Sequence, residues 1–191
     1  ELLARVNIEQ GRYTQAEEVL LQAADRTPTR ASVPYLLAVT QERRRNYAQA
    51  LTLYEQARAL DPDNPAYVLA SAEMLVSTGK PDEALSLVEG KLLHMNPVPG
   101  LFKAAGELAM LVEQYDKAAD HFRQASELRP EDREIRLSLA RAFFLAQQYD
   151  DAVFVLRPLA AEPLGGQSAW MLSMLGQAEL AMGEPGQAKN T

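Results

Sequence analysis

His94 and His121 are the two imidazoles in a chain of 191 residues, and a metal site would need a further nitrogen, carboxylate or sulfur ligand at matching spacing. No third ligand stands at such a spacing, so both are read as surface or packing histidines. Neither a metal nor a cofactor is expected. There is no cysteine, which removes thiolate zinc sites, iron–sulfur clusters, disulfides and thiol nucleophiles and leaves the compartment open between a reducing cytoplasm and an oxidising periplasm. The adjacent carboxylates Glu17-Glu18, Asp82-Glu83 and Asp150-Asp151 could in principle act as a glycosidase-like pair. They fall where the apolar spacing predicts the first turn of a helix, and there the helix dipole accounts for them. No glycine-rich phosphate loop, nucleophile elbow or zinc-binding helix motif occurs, and Gly165-Gly166 alone reads as a linker. No catalytic residue is assigned, and the chain is expected not to be an enzyme.

The remaining concentration of charge is Arg43-Arg44-Arg45, directly after Glu42. Against 26 acidic and 19 basic residues, a formal charge of −7, this run is read as a solvated helix end beside the negative pole of the dipole rather than a phosphate site. No nucleic-acid partner is expected. An apolar run of membrane-spanning length is also missing, so direct insertion into a bilayer is not expected. Glu1 opens the chain inside a predicted helix, and the sequence is expected to be a fragment whose targeting segment lies elsewhere.

With so little reactive chemistry, the information lies in a repeat. Tyr13, Tyr47, Pro81, Tyr115 and Tyr149 stand 34 residues apart, each followed three residues on by Ala16, Ala50, Ala84, Ala118 and Ala152. Ala4, Ala38, Ala72, Gly106 and Ala140 form a second small column, and Leu20, Tyr54, Val88, Phe122 and Leu156 a large apolar one. A further column reads Ala23, Ala57, Lys91, Ala125 and Leu159. Prolines close the units at Pro28, Pro62 and Pro130, with Pro97 and Pro163 each displaced by one residue.

Inside a unit, apolar residues such as Tyr35, Leu36, Val39 and then Leu51, Tyr54, Ala57 recur at three and four residues, the period of an amphipathic helix on each side of a short polar break. Two helices per unit follow. Gly11, Gly79 and Gly183 suit left-handed C-caps. Thr14, Asp82, Asp116 and Asp150 are expected to cap the second helices, with Thr14 and Glu17 as a capping box. Asn64 and Pro65 suit the start of the next unit. The small columns let helix axes approach closely.

Taken together, Leu37-Ala38, Tyr47, Ala50, Tyr54, Ala57 and Pro62, and again Ala105-Gly106, Tyr115, Ala118, Phe122, Ala125 and Pro130, resemble the tetratricopeptide repeat. The resemblance implies an all-α, right-handed α-solenoid of helix-turn-helix repeats over a single array, residues 1–191. Its repeats are 1–30, 31–64, 65–98, 99–132 and 133–166, with a partial sixth at 167–191 marked by Leu175-Gly176 and Ala188. Pro34, Val68 and Arg136 depart from the bulky family residue, and Lys91 from the alanine. With an extra residue in Leu93-His94-Met95-Asn96-Pro97, the third-to-fourth junction is expected to be looser.

By the same resemblance the first helix of each repeat lines a concave groove. The matching positions are Tyr35, Val39 and Glu42, then Leu69, Glu73 and Val76, then Lys103, Glu107 and Met110, then Leu137, Arg141 and Phe144, ending with Ser173, Gln177 and Leu180. An apolar strip from Val76 through Met110 to Phe144 beside alternating charges implies a scaffold that receives a helical or extended protein segment. The alternative is that Met110, Leu111, Phe144 and Leu145 pack between successive first helices. Some family members hold chaperone C-termini with lysines and asparagines. Glu1, Arg5, Leu36, Lys103, Glu107 and Ser138 occupy the corresponding positions here, so that activity is not expected. A second functional reading is the tetratricopeptide arm of a bacterial polysaccharide-export or secretion protein, or of a glycosyltransferase. Ala169-Trp170-Met171-Leu172-Ser173-Met174-Leu175 is apolar on several sides, where a terminal cap would be polar outside. Self-association around Trp170 is expected.

Overall fold

The computed structural model describes residues 1–94, 96–161 and 169–183. Among them are eleven helices and no strand: α1 (Leu2–Glu9), α2 (Tyr13–Arg26), α3 (Ser32–Arg43), α4 (Tyr47–Leu60), α5 (Pro65–Ser77), α6 (Pro81–Leu92), α7 (Pro99–Leu111), α8 (Tyr115–Leu128), α9 (Arg133–Leu145), α10 (Tyr149–Ala161) and α11 (Ala169–Gly183). The chain divides into two compact units, Glu1–Met95 and Asn96–Thr191, at the junction where Pro97 is displaced. The first unit stacks the hairpins α1–α2, α3–α4 and α5–α6; the second stacks α7–α8 and α9–α10, with α11 packed on α10. Pro163, Gly165, Gly166 and Ala188 lie outside the described residues.

The recurrent columns are the core. Ala16, Ala50, Ala84, Ala118 and Ala152 are all fully buried, as are Leu20, Val88 and Leu156, with Tyr54 and Phe122 at 1% exposure. Small residues on the first helix face these large ones on the second, so each hairpin closes as a small floor under a large knob. Gly106 lies close over Phe122, where a β-carbon on the glycine would lie 2.8 Å from the ring. Lys91 stands in the alanine column with its side chain 16% exposed and its ammonium paired at 3.1 Å with the exposed Asp63.

The break inside each hairpin is one repeated backbone motif. Gly11 and Gly79 have φ of 70° and 81°, and the same position in the other repeats is left-handed at Arg45, Glu113 and Gln147 (φ 64°, 60° and 60°). The next residue donates its amide to a carbonyl five positions back: Arg12 to Asn7, Asn46 to Gln41, Lys80 to Leu75, Gln114 to Ala109 and Gln148 to Phe143, at 2.8–2.9 Å. Together with the left-handed residue's bond three positions back (Gly11 to Ile8, Arg45 to Glu42), this is the Schellman arrangement that satisfies the last carbonyls of a helix. The glycine signal at Gly183 does not carry over, since that residue ends α11 within the helix.

Helix starts correct one expectation and support another. The second helices α2, α4, α6 and α8 begin on Tyr13, Tyr47, Pro81 and Tyr115, and no side chain caps them. Thr14 therefore lies inside α2. Its hydroxyl accepts from the Arg44 guanidinium at 3.1 Å, while Glu17 accepts from Arg44 at 2.7 Å and from Gln41 at 3.0 Å, so the supposed capping box ties α2 to the next hairpin. Asp82, Glu83, Asp116, Asp150 and Asp151 do occupy first turns, where they complement the dipole without capping; Glu17 and Glu18 sit one turn further in. Of the first helices, α1, α3 and α7 start without a side-chain cap, while α5 is capped as expected by Asn64, which accepts from the Ala66 amide at 3.1 Å ahead of Pro65. Asp132 does the same for Glu134 and Ile135.

Candidate functional site

The arginine run divides into separate structural roles. Arg43 ends α3, Arg44 makes the ion pair to Glu17, and Arg45 supplies the left-handed turn. A phosphate site is not what this geometry builds.

On the first-helix face of the first unit, Tyr35 of α3 is wedged between aromatic rings. Its centroid lies 5.5 Å from Tyr54 and 5.1 Å from Tyr67. The Tyr54 hydroxyl donates to a Glu42 carboxylate oxygen at 2.6 Å. Burial and this bond push the Tyr54 phenol well above its ordinary range, and burial raises Tyr67 as well. Tyr35 and Val39 pack against the cores of both adjoining hairpins. Leu69 and Val76 are half-buried and Glu73 is exposed. This wall is largely closed by its own aromatic side chains. A separate, mostly apolar hollow of about 400 Å³ lies among Ala24, Pro28, Val33, Pro34, Leu37 and Leu60.

The second unit is open where the first is closed. Between α7 and α9 lies a cleft of about 460 Å³, walled by Glu107, Met110 and Leu111 on one side and Ser138, Arg141 and Leu145 on the other, over a floor of Tyr115 and Phe122. Leu111 is 54% exposed and Leu145 37% exposed, so neither is absorbed between the two first helices. One repeat apart, they occupy a column that reads Arg43, Ser77, Leu111, Leu145 along the chain; it is polar in the first unit and apolar in the second. Met110 is half-buried in the same wall. Phe144 faces elsewhere: its ring packs edge-on against Tyr149 at 5.7 Å, and with Leu137 it joins the cluster around Ala140, Leu156 and Met171.

Charges on α7 and α9 are unevenly matched. Lys103 lies 3.0 Å from Glu134 and 3.8 Å from Glu107; its bond to Glu134 raises its pKa against the opposing effect of burial. Glu107 is also shifted upward, chiefly by desolvation and against the pull of Lys103. Arg141, one repeat below Glu107, is exposed and makes no ion pair or hydrogen bond among the described residues. On α11, Ser173 accepts from Gln177 at 3.0 Å, and Leu180 is 66% exposed. Reading the sequence missed Tyr115, whose place in the turn column marked it as structural although its ring also floors the cleft. Among the described residues no cluster of three His, Asp or Glu could hold a metal, and no helix is long and apolar enough to cross a membrane.

A model of the tetratricopeptide repeat matches residues 43–92 and 109–172, more than half of the chain. The chain belongs to the tetratricopeptide repeat family, and its fold class is the all-α solenoid of helix-turn-helix repeats. In sequence it is similar to the DnaJ protein P58IPK homolog B of Oryza sativa subsp. japonica, at 31% identity over 93 residues, 47% of this chain and 20% of that protein. The chain thus spans about a fifth of that relative's length. In structure it is similar to a tetratricopeptide repeat protein from Parabacteroides merdae, with a TM-score of 0.74 at 20% identity over 95% of this chain and 71% of that one. YrrB, a TPR protein with an unusual peptide-binding site, gives 0.73 at 19% identity over 89% and 87% of the two chains. At such identities the structural likeness establishes the fold. That fold points to a scaffold for protein–protein interaction, and proteins built this way are in general non-catalytic.

Proposed function

We propose that this chain is a non-catalytic scaffold that holds a segment of another protein against its first helices, anchored in the cleft between α7 and α9. The observation that carries the reading is the pair Leu111 and Leu145, left exposed on facing walls of one cleft over the rings of Tyr115 and Phe122. Fully covering a Leu-sized side chain contributes about 1.5–3 kcal/mol, and these leucines with Met110 are already partly covered, so the cleft supplies roughly 2–3 kcal/mol gross. Association costs about 4–15 kcal/mol. Contacts beyond the cleft are therefore required, from other first-helix positions of the same unit such as Lys103 or from polar pairing, and affinities near micromolar are expected.

The test is a pull-down with mass spectrometry using the wild type and Leu145→Arg in parallel, followed by titration of each protein that drops out of the variant. If every captured protein binds both forms with equal affinity, the cleft is not the docking site. A second reading is favoured by α11, whose Trp170, Leu172, Leu180 and Met182 are 42–66% exposed. On that reading the array is an arm to which further helices dock, in a polysaccharide-export or secretion protein, beside a glycosyltransferase, or in a second copy of the chain.

A further inference from the structure

The α7–α9 cleft combines two apolar rims with one uncommitted cation. Lys103 is held between Glu134 and Glu107 at 3.0 and 3.8 Å, so these three groups largely answer one another. Arg141 has no such answer among the described residues, although Glu107 stands in its own column one repeat earlier. A guanidinium left exposed at the lip of an apolar hollow is matched by a planar carboxylate, whose two oxygens accept its forked donors. It is mismatched to a cation or to an uncharged apolar segment that would cover it without pairing.

Resting on the reading of this cleft as a binding site, we propose that its occupant is an internal protein segment in which an Asp or Glu lies within a few residues of a long aliphatic side chain. The carboxylate pairs with Arg141, and the aliphatic group enters between Leu111 and Leu145. An internal carboxylate is favoured over a chain terminus because the lysine and asparagine set that grips chaperone tails has Lys103, Glu107 and Ser138 at its corresponding places. Here Lys103 is already paired. A single arginine reads one acidic group and fixes the register of the segment around it.

The experiment is selection from a random dodecapeptide display library against the whole chain, followed by titration of synthetic peptides. Selected sequences are expected to place Asp or Glu near Leu, Ile or Met. Glu→Gln in such a peptide, or Arg141→Ala in the protein, should each weaken binding about tenfold with no further loss when combined. Arg141→Glu should prefer the Glu→Lys peptide. Leu145→Arg and Leu111→Arg, on exposed positions and checked for an unchanged melting temperature, should each abolish binding. Peptides lost in the leucine variants but indifferent to Arg141 would overturn the acidic specificity and keep the cleft. Peptides indifferent to both leucines would overturn the cleft and the specificity together, as would a library that yields no binder. Loss of binding on amidating the peptide C-terminus would assign the carboxylate to a chain end and overturn the internal segment.

Discussion

Gly106 and Tyr54 show how far single atoms are specified in this chain. A methyl group at Gly106 would stand 2.8 Å from the Phe122 ring, a side chain only 1% exposed. Overpacking costs typically about 1–3 kcal/mol, against about 1 kcal/mol gained from the better helix propensity of alanine. Gly106→Ala is therefore expected to lose about 1 kcal/mol net, read by urea unfolding, and Phe122→Leu in the same chain should recover part of the loss. An unchanged midpoint would show that α7 and α8 spread freely. Tyr54 carries the other residue-scale prediction. Its folded pKa is raised, so the neutral phenol is favoured in the folded state. The stability this contributes is complete below the unfolded phenol range of about 10 and is lost as pH climbs above it. Tyr54→Phe should cost about 1–2 kcal/mol at neutral pH, since Glu42 loses its donor. Plotted against pH above 10, the variant's stability should fall less steeply than that of the wild type; parallel curves would remove Tyr54 from the alkaline transition.

At the scale of the element, the hairpin turn is the unit that repeats most faithfully in backbone and least in sequence. Gly11 and Gly79 announced a left-handed cap in two repeats. Arg45, Glu113 and Gln147 hold the same geometry, and no side-chain preference gave them away, because the neighbouring packing and the Schellman bonds enforce φ at a position whose own propensity opposes it. A residue with a β-carbon there is strained by about 1–2 kcal/mol, which glycine relieves at an entropic cost of about 0.5–1 kcal/mol. Arg45→Gly, Glu113→Gly and Gln147→Gly should each raise the unfolding free energy by about 0.5–1 kcal/mol. Denaturant titration decides this, and a loss in all three would show that the left-handed strain is already relaxed. The same physics explains why helix identity, the core columns and the cap at Asn64 were open to a sequence reading: they follow from residue type. The capping box at Thr14 and Glu17 misled because its two side chains are drawn off by Arg44 of the next hairpin, a contact that no local motif encodes.

For the whole molecule, recognition surfaces were less legible than the fold because exposure depends on what neighbouring repeats leave uncovered. The list of first-helix positions contained the cleft residues Glu107, Met110 and Arg141, but it could not separate them from Tyr35 and Phe144, which are engaged with their own aromatic neighbours. Exposed apolar groups on α11 lead to the remaining prediction: sedimentation mass should rise with concentration in the micromolar range, and Trp170→Glu should hold the protein monomeric. A constant mass for the wild type would dismiss α11 as a self-association surface. The column that reads Arg43, Ser77, Leu111, Leu145 has a consequence of its own. It shares no member with the columns that build the hairpins, so under the proposed reading the apolar rims that would grip a partner stand on positions that folding does not inspect. Such an array can be duplicated, drift at those sites and acquire a new client without passing through an unfolded ancestor. An engineer could likewise transplant the leucine rims onto α3 and α5 while leaving the underlying masonry alone.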